Sequence, residues 1–325
     1  MSAASEPAFY DIGGPVLEVR SDRPGDLAGL DTLLGGCRTG AVAQPAFRIE
    51  VRETPTLDEN PAGAVAFDGE VPVDGRCRLI QAGPRLHMVF PGRQTLLVDT
   101  AVARAEIRVL PEAKTLWTAW MLALEAALDA DGQSMLHMAG LTLPGREGTV
   151  LIHAPSGTGK TTTSMALASR GFGLCADDVM VLRPAKLDVW GMPRFVKIHR
   201  KTAAMVPVVA SSLGDKWDRN DEQAVPLDKL RAILSVEEPR PRPVLALLHL
   251  ARATDGRTRL VALPKTEAMV ALAADNVRTG LTGLLPLQQR RFAAIAALVS
   301  GTPTFTLEVG RVPQDAAAAI LAEIG

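Results

Sequence analysis

Between residues 46 and 110 apolar positions recur at period two: Phe47, Ile49 and Val51, then Val65 and Phe67, then Leu86, Met88 and Phe90, then Leu96 and Val98. Alternation of this kind predicts half-buried strands, because successive side chains of an extended chain point to opposite faces. The turn-forming stretches "NPAG", "VDGR", "AGPR" and "FPGR" separate the runs. Residues 1–111 therefore read as a small β-rich domain of largely antiparallel strands. No chemistry-bearing motif stands out in it. Pro111 marks the expected boundary. Beyond it Leu116, Trp117, Trp120, Met121, Leu124 and Leu128 repeat at helical spacing, a core helix that "DADG" ends.

Residues 112–325 mix both periods. "TVLIH" reads as a strand and "KTTTSMALASR" as a helix. A mostly extended stretch (179–199) and a charged surface loop, "GDKWDRNDEQ" (214–223), follow. "PVLALLHL" (243–250) is a continuous apolar run of the kind covered on both faces of a sheet. The helix "TEAMVALAADN", a helix carrying Phe292, Ile295 and Leu298, the strand "TFTLEV" and a helix from about 314 complete the pattern. Strands interleaved with helices predict an α/β layer structure.

Composition narrows the function classes. The 325 residues are 47% hydrophobic, enough for a substantial core, and carry a formal net charge of -1. There is no overall basic field to hold nucleic acid or an anionic membrane, so neither is expected as a partner. Cys37, Cys77 and Cys175 are an odd count without a CxxC pair, which gives no disulfide framework or zinc spacing and suits a reducing compartment. The N-terminus lacks a signal-peptide pattern, and no apolar run approaches the ~20 residues of a membrane span. The cytoplasm is the expected location.

The chemistry concentrates in "HAPSGTGKTTTSMALASRGFGLCADD", residues 153–178. Ala154 to Thr161 have the spacing of a P-loop, with alanine at the position of its first glycine. Glycines let successive backbone N–H groups turn inward on phosphate oxygens, and the helix that follows adds its positive end. Ser156, Gly157, Thr158, Gly159, Lys160, Thr161 and Thr162 are the expected nucleotide-binding residues, with Lys160 on the β- and γ-phosphates and the Thr161 hydroxyl on Mg²⁺. A helix over about 161–170 carries the chain roughly 15 Å away at ~1.5 Å per residue. Residues 172–176, extended, return roughly 16 Å. Asp177 and Asp178 are thus expected back at the phosphate end. There one carboxylate can hold metal while its neighbour addresses an acceptor.

Two further residues are candidates. A hairpin with its turn at Pro144–Gly148 would set His137 opposite residue 155, beside the phosphates. His153, at the end of the strand entering the loop, reads as structural. In "PRFVKIHRK", Arg194, Lys197, His199, Arg200 and Lys201 cluster. Lys197 interrupts the apolar segment Phe195, Val196 and Ile198, which suggests a buried-leaning lysine neutralising a transferring phosphoryl group.

"LHMAG…VLIHAPSGTGKTTTSMALASRGFGLCADDVMVL", within residues 136–182, resembles the catalytic core of the HPr kinase/phosphorylase family. The order is a histidine strand, a P-loop, a short helix ending in Arg-Gly, then Ala-Asp-Asp. The resemblance implies a P-loop core of the type shared with phosphoenolpyruvate carboxykinase, use of ATP and Mg²⁺, and phosphorylation of a serine hydroxyl. Carried over by position, it implies Asp177 as general base, Asp178 as its partner at the metal, and His137 lining the site. The chain departs from the family in having Thr161-Thr162 after the loop lysine, in place of Ser-Glu, and in lacking the later Arg-Gly-Leu-Gly signature. It looks like a divergent relative, similar to HPr-kinase-like proteins that accompany peptide modification.

The expectation is therefore a small β-rich domain (1–111) followed by a P-loop kinase domain (112–325). That domain would transfer the γ-phosphoryl group of ATP to a serine hydroxyl of a protein or peptide. Asp177, Asp178, Lys160, His137 and Lys197 are the catalytic candidates, and Thr161 with Asp178 the metal ligands. A small-molecule alcohol kinase on the same core and a non-catalytic nucleotide-binding switch stay open, as does assembly into a homo-oligomer.

Overall fold

A computed structural model describes residues 6–155, 157–277 and 285–325. The chain divides into two compact units, Met1–Ser134 with Arg278–Arg290 and Met135–Val277 with Arg291–Gly325.

In the first unit the alternating runs form the strands β1 (Ala8–Asp11), β2 (Val16–Ser21), β3 (Phe47–Glu53), β4 (Ala64–Val71), β5 (Gly75–Ala82), β6 (Arg85–Phe90), β7 (Gln94–Asp99) and β8 (Arg104–Val109). They make one sheet in the order β1-β2-β3-β8-β7-β6-β5-β4. From β8 to β4 the neighbours are antiparallel, as short turns require. The pairs β2–β3 and β3–β8 are parallel. Parallel neighbours need a crossover, and the helix α1 (Pro24–Leu34) lies in the one between β2 and β3. The apolar helix after Pro111 is α2 (Trp117–Ala130). It packs against β3, β7 and β8, burying Ala119, Trp120, Ala123, Leu124, Ala127 and Leu128. The boundary therefore falls after Ser134 and not at Pro111: the apolar face of this helix completes the core of the sheet before it.

The second unit contains β9 (Ser134–His137), β10 (Ala139–Thr142), β11 (Thr149–His153), α3 (Lys160–Ala168), β12 (Gly173–Ala176), β13 (Val179–Arg183), β14 (Asp188–Gly191), β15 (Val196–His199) and α4 (Arg200–Met205). It continues through β16 (Glu222–Val225), α5 (Leu227–Arg231), β17 (Arg242–Arg252), β18 (Arg259–Ala262), α6 (Lys265–Asn276), α7 (Leu285–Gly301, of which the residues up to Arg290 count with the first unit), β19 (Thr304–Val309) and α8 (Ala316–Ile324). The main sheet runs β12-β10-β11-β17-β14-β13-β9, with β19 also paired to β17 and β18 to β19. β17 carries the apolar run and lies at its centre. Leu248 and Leu250 join the core layer that includes Met165 and Leu167 of α3 and Ile320 of α8. Leu247 joins the opposite layer with Leu272 of α6 and Ile295 and Leu298 of α7. Burial on both faces is why this strand is apolar at consecutive positions. Among the described residues no helix is long and apolar enough to cross a membrane.

The hairpin expected around Pro144–Gly148 is present, with Thr142 paired to Thr149 and Ala139 to Ile152. It stops at β10, and β9 pairs with β13 instead. His137 is therefore not carried opposite Pro155 across the hairpin.

β14 passes close against Cys175. A Cβ at Gly191 would overlap the Cys175 carbonyl and lie 3.1 Å from the Ala176 Cβ. Gly191→Ala is expected to lower stability by about 1–3 kcal/mol, read as a fall in the urea unfolding midpoint. An unchanged midpoint would contradict the close approach.

Candidate active site

β11 runs parallel to β17, and β12 runs the same way as β11 because each is antiparallel to β10. Their carboxyl ends share one edge of the sheet, where open α/β folds hold ligands. The glycine loop leaves β11 at this edge. Thr158 N donates to the Pro155 carbonyl at 3.2 Å, while Gly157 and Gly159 take φ values of 77° and 112°. That left-handed region is strained for any side chain, so these two glycines are required by the backbone. Thr163 N donates to the Gly159 carbonyl at 2.9 Å and opens α3. Ser156, expected among the phosphate-binding residues, lies outside the described residues.

After α3, Gly171 with φ 90° reverses the chain, and Phe172 N donates back to the Leu167 carbonyl at 3.3 Å, a left-handed helix ending. β12 then delivers the two aspartates. The Thr161 hydroxyl donates to Asp177 Oδ2 at 2.7 Å, and Lys160 Nζ lies 3.4 Å from Asp178 Oδ1. The return journey expected from helix and strand lengths is what the structure has.

The two carboxylates occupy different surroundings. Asp177 is 7% exposed, and its Oδ1 is buried with no hydrogen-bond partner within bonding distance among the described residues. Burial pushes its pKa up, opposed by the Thr161 hydrogen bond and the Lys160 charge. The Asp178 side chain is 47% exposed, with His137 Nε2 at 2.9 Å, Lys160 Nζ at 3.4 Å and Arg194 at 3.3 Å. Desolvation disfavours its charge, but the His137 hydrogen bond and the charges of Lys160, His137 and Arg194 outweigh it and hold the carboxyl well below the usual range. Main-chain bonds fix the pair in place: Met138 N donates to the Asp178 carbonyl at 3.2 Å, and His137 N donates to Asn276 Oδ1 at 2.7 Å. Lys160 and Arg194 place two cationic groups at the mouth of the site, where an anion can meet them.

Several expectations need correction. The Thr161 hydroxyl pairs with Asp177, not with Asp178, so the metal pair read from the sequence is not the pair the fold brings together. The Thr162 hydroxyl bonds the Thr202 hydroxyl of α4 at 2.7 Å, tying two helices together rather than facing the loop. Lys197 is exposed, because β15 alternates and buries Val196 and Ile198 on the other face. Its charge acts on Asp218 of the 214–223 loop. Arg194, three residues earlier, holds the place assigned to Lys197. It was visible in the same basic cluster. Asn276, at the end of α6, carried no signal in the sequence. His153 is buried, as a structural residue would be, but it is bonded to His249 and Asp275.

No protein-family model matches the chain, and no curated protein matches it either.

The residues fit a hard cation. Thr161 and Asp177 supply a hydroxyl and a carboxylate side by side, and the orphaned Asp177 Oδ1 is a buried acceptor that a bound cation or its water would satisfy. Among the described residues no group of three or more His, Cys, Asp or Glu could hold a metal. Mg²⁺ typically takes only one or two carboxylates together with substrate phosphates and water.

Linkage gives the two aspartates opposite signs. With its folded-state pKa raised, Asp177 costs stability when ionised, and the cost is relieved as pH falls through that pKa toward the unfolded value. Asp178, depressed, contributes stability above the unfolded carboxyl pKa and loses it only in stronger acid. Asp177→Asn is therefore expected to raise the thermal midpoint of the metal-free protein at pH 7. A lowered midpoint in EDTA would show that the charge of Asp177 is already compensated.

Proposed function

We propose that the chain is an ATP- and Mg²⁺-dependent kinase that transfers a γ-phosphoryl group to a serine hydroxyl of a protein or peptide. The observation that carries this reading is the meeting of Lys160, Thr161 and both carboxylates at the start of α3. Phosphoryl transfer needs positioning, charge neutralisation and a group that takes the acceptor's proton, and this cluster has a residue for each. The preference for a peptide serine over a small alcohol comes from the family resemblance.

Lys160 and the amides of the loop bind the phosphates, and Arg194 adds a second cation beside them. Mg²⁺, held by Thr161 and Asp177, would supply charge neutralisation of the phosphate oxygens. The acceptor's hydroxyl oxygen forms the new bond to the γ-phosphorus, the bond to the bridging oxygen of ADP breaks, and the hydroxyl proton passes to Asp178. In the free protein Asp178 is a weak base because cations surround it. Bound phosphates compete for Lys160 and Arg194, which raises its proton affinity for the step. His137 Nε2 orients the carboxylate through its 2.9 Å bond. This division gives the metal to Asp177 and the acceptor to Asp178, the reverse of the positional carry-over.

Purified protein with γ-labelled ATP, Mg²⁺ and a serine-containing peptide library is expected to label polypeptide. Labelling of free alcohols alone would move the reading to a small-molecule kinase, and hydrolysis without a labelled acceptor would favour a nucleotide switch. Asp178→Asn is expected to keep ATP affinity within about threefold while transfer falls by at least 10²-fold, the usual scale for a lost general base. An unchanged transfer rate removes Asp178 from that role.

A further inference from the structure

Beneath the glycine loop, on the sheet face covered by α6 and α7, three polar side chains form a line. His153 ends β11, His249 lies directly beside it on β17, and Asp275 sits in the last turn of α6. His153 Nε2 is 2.9 Å from Asp275 Oδ2, and the two histidines meet Nδ1 to Nδ1 at 3.1 Å. His153 is 2% exposed. None of the three belongs to the cluster around Asp178.

The hydrogen count of this line is determined by its geometry. A carboxylate only accepts, so His153 Nε2 carries the proton in that bond. Two Nδ1 atoms in contact hold one hydrogen between them. In the neutral line His153 Nδ1 must therefore accept and His249 Nδ1 must donate, which leaves the lone pair on His249 Nε2. The line can take one further proton, at that nitrogen. A second would set N–H against N–H and break the histidine pair.

We propose that Asp275, His153 and His249 form a single-proton chain that positions the phosphate loop and couples nucleotide binding to proton uptake. It rests on the nucleotide reading above. β17 braces the loop twice, through His249 to the residue preceding Ala154 and through Arg252 to the Gly157 carbonyl at 3.3 Å. When both histidines are neutral, Asp275 is the charged member of the line, a negative charge at the base of an anion site. One proton on the histidines cancels it. A triphosphate then binds more tightly, and by linkage its binding draws the proton in.

The surrounding groups agree with this sign. Burial lowers the proton affinity of both histidines, with Asp275 opposing, so the line is neutral near pH 7 and loads below it. His137 of β9 also acts on His153, Arg252 of β17 lies at the loop, and α7 brings the buried Arg291 one turn before Ala294 and Ile295. Thr306 of β19, opposite His249, does not titrate, and α7 contributes Ala294, Ile295, Leu298 and Val299 to this layer.

Histidine-selective ¹⁵N labelling of the full chain reads the tautomers directly, the five histidines being assigned by single variants. At pH 7.5 we expect Nε2–H at His153 and Nδ1–H at His249, with one joint protonation on acidification. The opposite tautomer at His249, or two full protonations in the folded protein, overturns the proton chain. Calorimetric titration with Mg²⁺ADP at pH 6, in buffers of different ionisation enthalpy, reads the coupling. Wild type is expected to take up protons. His249→Gln should lose that uptake, and because it also removes a brace of the loop it should bind more weakly at both pH values, with a deficit about fivefold larger at pH 6 than at pH 8, the scale of one screened charge near a phosphate. Equal uptake in both proteins overturns the coupling. Failure of Mg²⁺ADP to bind at either pH sinks the nucleotide reading and the coupling with it, whereas the spectra judge the proton chain on their own.

Discussion

The hydrogen bond from Thr161 to Asp177 depends on a match of lengths. α3 has nine residues, about 13 Å at the rise of a helix. β12 has four, about 13 Å at the rise of a strand. The helix leaves the loop, Gly171 turns the chain through its left-handed φ, and the strand returns over the same distance. Equal and opposite excursions place the second residue of the helix and the residue after the strand side by side. A chain one turn longer in the helix would deliver the aspartates short of the loop. The 2.7 Å bond closes the circuit, and the charges of Lys160, Arg194 and His137 gather around the second carboxylate as a result.

Asp177 and Asp178 form the bend between β12 and β13, and there the two side chains take up different dielectric surroundings. Asp177 faces inward, against Thr161, where desolvation makes its charge costly and its second oxygen finds no donor among the described residues. Asp178 faces the opening, where cations and an imidazole outweigh the loss of water. One dipeptide thus yields a carboxyl that resists ionisation and another that resists protonation.

Much of this was legible in the chain, and the reasons for the rest are specific. The strand–loop–helix–strand passage from Thr149 to Asp178 could be read because each of its steps is local: β-branched strand, positive-φ glycines, helix, reversal. The antiparallel half of the first sheet was legible for the same reason, since its turns are written between the strands. The parallel pairings of β2, β3 and β8 were not, because their partners are distant in sequence and nothing local declares them. Lys197 was misjudged by reading it as an interruption of an apolar segment. The alternation that buries Val196 and Ile198 by itself sends Lys197 to the other face. Arg194 and Asn276 reach the site only through tertiary packing. His249, a lone imidazole in an apolar run, offered the same cue as His137 and gained its meaning from a neighbour on β11.

The end of α6 holds two separate parts of this arrangement with consecutive residues: Asp275 reaches His153 at the entrance to the loop, and Asn276 holds the main chain of His137. Consecutive helical residues are about 100° apart around the axis, so the two grips are locked in angle as well as in height. Adding or removing one residue anywhere between Lys265 and Ala274 would swing both away together. The helix therefore acts as a gauge block: the register of its last turn fixes both grips at once, and insertions that a surface helix would absorb have no room here.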